Sequence, residues 1–104
     1  EQKGWRNYFE FTSHYYAEQT DQAWALRSRL DEPGMQPANR AVCCSMCIEM
    51  AGNRSDVDAV LMYAERCIGL RQSLGDQDSE KLARKVAFDT LMRMGKRDLA
   101  RPYS

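Results

Sequence analysis

The sequence predicts an all-α fold, and three observations carry that prediction. Apolar residues recur at helical spacing in three long segments; glycine, proline and acidic turn signals separate those segments; and period-two alternation and Asn-Gly or Asp-Gly hairpin dipeptides are missing throughout. With 104 residues the chain is one domain by length, 1–104. A globular chain of this size hides roughly 60–70% of the surface of its unfolded form, enough for a core without staples.

The N-terminal segment, 3–31, holds most of the aromatic residues and reads either as one long helix or as two that turn near Gln19 and Thr20. Trp5, Tyr8, Phe9, Phe11, Tyr15 and Tyr16 are distributed around such a helix and exceed what one buried stripe absorbs. Some are therefore expected to cap the domain or to pack on another chain, which makes the aromatic N-terminus a candidate for self-association. DEPGMQP, 31–37, is the clearest break.

A first helix is predicted over 38–51, with Ala41, Cys44, Ser45, Ile48 and Ala51 on one stripe, Pro37 at its entrance and Gly52 just past its end. The second, 55–74, starts on Ser55 or Asp56 and stops at Gly75, with Val60, Tyr63, Ala64, Cys67, Leu70 and Leu74 aligned. The third, 78–94, opens with acids, carries Arg93 in its last turn and is followed by Gly95. Its stripe is Leu82 or Ala83, Val86 or Ala87, Leu91 and Met94. A short C-terminal stub, 97–104, remains.

Charge narrows the function classes. Lysine plus arginine and aspartate plus glutamate stand at 15 each, so no summed field draws the chain to nucleic acid or an anionic membrane. No apolar run approaches the roughly 18 residues of a membrane span. Glu1 opens the sequence without a leader-like pattern, so an excised or processed segment is expected. Cysteines clustered at 43, 44 and 47, with one more at 67, do not resemble a secreted disulfide framework. A soluble protein in the reducing cytoplasm is the expectation.

ALRSRL at 25–30 aligns with GLRQSL at 69–74, each followed by an acidic loop and a new helix. TDQA at 20–23, SDVDA at 55–59 and RDLA at 97–100 recur after the breaks, which fits a two-helix unit of roughly 40 residues. YAERCIGLRQSLGDQ, 63–77, resembles the second helix of a longer, kinesin-light-chain-like tetratricopeptide repeat. LARKVAFDTLMRMGKRDLARPY, 82–103, resembles the next repeat's first helix, its glycine turn and the opening of its partner. The resemblance implies antiparallel helical hairpins stacked as an α-α superhelix of about two and a half repeats. The alternative is a small helical bundle. The family places a small residue where paired helices cross; Ser45 takes that place in the middle unit and Phe88 in the last. Ser45 is then expected to pack near Val60 and Tyr63.

Catalytic and metal chemistry are disfavoured by spacing. Cys43, Cys44 and Cys47 fall within a sector of about 100° on a helix. The CxxC lies mid-helix, where neither the turn of a zinc site nor the N-terminal position of a redox thiol is met. His14 sits between Glu10 and Glu18, an arrangement more often an exposed pair of weak ion pairs than an acid or base. GDQDSEK lacks the glycines of a phosphate cradle. Arg40, Arg84, Lys85, Arg93, Lys96, Arg97 and Arg101 are interleaved with acids and read as a solvated face rather than a nucleic-acid patch. No catalytic residue, metal or cofactor is expected.

The resemblance implies an adaptor or scaffold that binds a protein partner, as a helix or extended peptide, in a groove. Its lining would be Asn39, Val42, Cys43, Met46 and Glu49 on one helix and Leu82, Lys85, Asp89, Met92 and Arg93 on the next. Val42 and Met46 occupy places where chaperone-binding relatives hold a lysine and asparagine pair, so chaperone-tail binding is not expected. Cys43 is expected to be the open thiol of the set. The alternative role is a structural segment of a larger solenoid or homo-oligomer; a cysteine-based metal or redox regulator and a helical nucleic-acid binder rank below both.

Overall fold

The structure is a computed structural model that describes residues 2–104. Every regular element in them is helical, as the sequence predicts, and the chain packs as a small helical bundle. The main helices are α1 (Gln2–Tyr16), α2 (Thr20–Ala25), α3 (Pro37–Asn53), α4 (Val57–Ser73), α5 (Gln77–Arg93) and α6 (Arg97–Ala100). Short 3-10 turns, Arg27–Asp31 and Arg101–Tyr103, follow α2 and α6. The N-terminal segment is thus α1, α2 and a 3-10 turn, with the bend at Ala17–Gln19.

One turn geometry separates the helices four times. Glu18, Ser55, Gly75 and Gly95 each take a left-handed conformation, with φ between 59° and 75°. The residue after each donates its backbone N–H to a carbonyl five residues back: Gln19 to His14, Asp56 to Ala51, Asp76 to Arg71 and Lys96 to Leu91. This is the Schellman closure, which satisfies carbonyls left open at a helix end. Asp56 and Asp76 then cap α4 and α5, accepting from the Ala59 and Ser79 N–H groups at 3.1 and 3.0 Å. Of the two caps proposed for α4, Asp56 is the one used.

Gly52, expected to lie past the end of α3, sits inside it. Its role is close packing: a Cβ there would run into the Thr90 methyl of α5. Gly4 does the same for α1, where a Cβ would strike the Gly34 carbonyl. Asn7 donates to Glu32 at 3.3 Å, and Arg40 clamps the Leu30 and Glu32 carbonyls, so the Pro33–Pro37 connection is held from both sides.

The core runs through α1, α3, α4 and α5, with Phe11, Leu30, Ile48, Met50, Val60 and Leu91 fully buried. In helix order, α3 packs with α4 and with α5, α4 with α5, and α1 with α2 and α3. Trp24 closes the N-terminal segment onto α4, edge-on to Tyr63 and covered by the guanidinium groups of Arg27 and Arg54. No helix is long and apolar enough to cross a membrane among the described residues.

Candidate functional site

The residues proposed to line a groove fall into two environments. On α5, Leu82 is 61% exposed, Lys85 and Asp89 form an exposed ion pair at 2.8 Å, Met92 is exposed, and Arg93 donates to the Thr90 hydroxyl at 3.3 Å. On α3, Glu49 is exposed, while Asn39 and Val42 are half-buried.

Cys43 and Met46 depart from expectation. Cys43 is 0% exposed and Met46 only 6%, so Cys43 is not an open thiol and cannot line a groove. Helix α3 is packed against α1, α2, α4 and α5, and Cys43 falls within the core they enclose. Met46 keeps only an edge, in a cleft rimmed by Tyr15 and Tyr16.

Two clefts remain on this side of the molecule, and they share Glu49. The first, about 290 Å³, lies between Tyr15 and Tyr16 of α1 and Val42, Met46 and Glu49 of α3, with Arg71 at one edge. The second, about 490 Å³, lies between Glu49 and the Val86, Asp89, Met92 and Arg93 side chains of α5. Together they form a channel across the α1, α3 and α5 faces. Tyr15 donates its hydroxyl to Glu49 at 2.6 Å, and its own pKa is driven upward by burial and by that carboxylate. Glu49 is thereby held at the junction of the two clefts.

Arg71 supports the channel from α4. Its Nε donates to Cys67 Sγ at 3.2 Å, Nη2 to Ser45 Oγ at 2.9 Å, and Nη1 to the carbonyl and hydroxyl of Ser79. One planar guanidinium thus ties α3, α4 and the first turn of α5. Ser45 thus meets Cys67, at 3.1 Å, and Arg71, one and two turns beyond Tyr63 on α4, and Cys67 also reaches the Ala41 carbonyl.

Cysteine chemistry follows from burial. All four cysteines are buried and none is in a disulfide; burial pushes the Cys43 and Cys44 pKa values up to about 12 and that of Cys47 higher. No three or more histidine, cysteine or carboxylate side chains converge on a metal position among the described residues. His14 Nδ1 faces Gln19 at 2.7 Å rather than Glu10, which pairs with Arg29 at 2.6 Å.

The sequence did not point to Tyr15, Tyr16, Ser45, Arg71, Val86 or Thr90 as parts of this region. Only the tyrosines left a signal, the surplus of aromatic residues on α1. No family model, curated protein or solved structure matches the chain.

Proposed function

We propose that the chain is a protein-interaction module of stacked helical hairpins, tetratricopeptide-like, which takes a helix or extended peptide in the channel between α1, α3 and α5. The observation that carries this reading is the channel itself, where apolar Val42, Met46, Val86 and Met92 alternate with Glu49, Asp89 and Arg93. Such a surface offers a short peptide apolar burial with polar edges that fix its register.

The hairpin-stack reading has support of its own. Four turns of one geometry divide the chain, and α3 contacts both its hairpin partner α4 and the next odd-numbered helix α5, as the first helices of successive repeats do. A binding role suits the mixed apolar and charged lining of the channel. A cytoplasmic setting fits cysteines that are clustered, buried and outside any disulfide.

The test is selection of peptides from a random display library, followed by affinity measurement against variants at exposed channel positions. Tyr16→Ser and Met92→Glu should each weaken a selected peptide about tenfold or more. Met62→Ser, on α4 and outside both clefts, should leave affinity unchanged. Equal loss at all three positions, or loss at Met62 alone, would remove the channel as the binding site.

A further inference from the structure

Two other uncovered surfaces point away from α3. On α1, Trp5 and Phe9 form a stripe opposite Gly4, Asn7 and Phe11 and stay 45% and 58% exposed. Trp5 stacks on Phe9 with ring centres 5.6 Å apart, so the aromatic surface is already assembled. Phe88 of α5 and Tyr103 of the C-terminal 3-10 turn line a hollow of about 460 Å³ together with Lys81, Arg84 and Lys85. Helices α1 and α5 both pack on α3 and do not touch each other. Stripe and hollow are therefore separate surfaces, which one chain cannot bring together.

We propose that the aromatic stripe of one chain seats in the cation-rimmed hollow of a second copy. The faces of aromatic rings carry negative potential, and cations placed over them gain both that attraction and apolar contact. The chain uses this pairing inside its own fold, with Arg27 and Arg54 over Trp24 and Arg66 over Tyr63. Arg84 and Lys85 are tied to Glu80 and Asp89, whereas Lys81 has no carboxylate within ion-pair distance among the described residues and is open to the incoming ring. Because the two surfaces differ, one such contact leaves a stripe free on one copy and a hollow free on the other, which pair with each other in a closed dimer or take up further copies. Two half-exposed rings bury a small area, below the standard size of a protein interface, and Arg6 on the stripe's flank adds like charge. The association is accordingly weak and concentration-dependent. It uses neither cleft of the channel, so it stands or falls separately from peptide binding.

Sedimentation velocity of the full chain from micromolar to millimolar concentration is the test. Mass should rise to that of a dimer or beyond. Phe9→Ser and the pair Lys81→Glu with Lys85→Glu, all at exposed positions, should each weaken association about tenfold or more while circular dichroism stays unchanged. Mixing the two defective variants should restore a dimer and nothing larger, since one contributes a sound hollow and the other a sound stripe. A chain that stays monomeric at millimolar concentration would overturn the proposal. So would variants whose mixture fails to associate, or self-association abolished by Phe9→Ser and untouched by the lysine reversals, which would mean that two stripes pair with each other.

Discussion

Replacing Gly52 with alanine sets helix propensity against packing, and the structure decides the sign. In an exposed helix interior the change would stabilise by about 0.5–1 kcal/mol. Here the added methyl meets the Thr90 side chain across the α3–α5 contact. Thr90 is 1% exposed, β-branched and bonded through its hydroxyl to Arg93, so it has little freedom to turn away. Overpacking of this kind costs about 1–3 kcal/mol, which leaves a net loss of about 0.5–2 kcal/mol for Gly52→Ala. Thr90→Ser removes the obstructing methyl and keeps the hydroxyl. In that background Gly52→Ala should be neutral or stabilising, a coupling of about 1–2 kcal/mol in a double-mutant cycle. Urea denaturation with two-state fitting measures all four proteins. An effect of Gly52→Ala that is the same in both backgrounds would refute the close approach of α3 to α5.

Other consequences are as direct. Ser55 holds a left-handed conformation that costs a side-chain-bearing residue about 1–2 kcal/mol, so Ser55→Gly should raise stability by about 0.5–1 kcal/mol after the extra unfolded-state entropy of glycine is subtracted; unchanged urea midpoints would speak against the turn. Arg71→Met should cost about 1–2 kcal/mol by releasing α3 and α5 from α4, and Arg71→Lys should recover little, since one ammonium cannot reach Ser45, Cys67 and Ser79 together. Burial raises the Cys43, Cys44 and Cys47 pKa values above their unfolded values near 9.0. Above that pH the unfolded chain releases protons that the folded chain keeps, so stability is full below about pH 8.5 and falls as pH rises, by up to about 1.4 kcal/mol per pH unit for each thiol. Stability that stays level from pH 8 to 10, or fast thiol labelling of the native protein at neutral pH, would contradict the burial.

What could be read from the sequence was local. The cores of α3, α4 and α5 followed from apolar period and from acids and glycines at their ends, because these signals act within a few residues. The same signals misplaced Gly52, since a glycine that ends a helix and one that admits a neighbour look alike until the neighbour is known. Ser55 escaped as a turn residue because serine rarely accepts positive φ. The fate of Cys43 depended on the helices that pack around α3, and nothing in RAVCCSMCIEM states which face another helix will cover. On α5, Asp89, Met92 and Arg93 line the second cleft, whereas Leu82 and Lys85 lie outside both clefts and Val86 and Thr90 line the second one unforeseen. Arg71 was not legible, because its partners Ser45 and Ser79 come from two other helices and become neighbours only once the hairpins pack.

The methionines offer the most direct test of the channel, since six of them sample distinct surroundings. Met46 and Met92 line the two clefts, Met35 and Met50 are buried elsewhere in the core, and Met62 is exposed on α4. With methyl-labelled methionine, titration of a library-selected peptide should shift the Met46 and Met92 resonances and leave Met35, Met50 and Met62 in place. Shifts centred on Met62, with Met46 and Met92 unmoved, would contradict the channel as the place where this chain meets its partner.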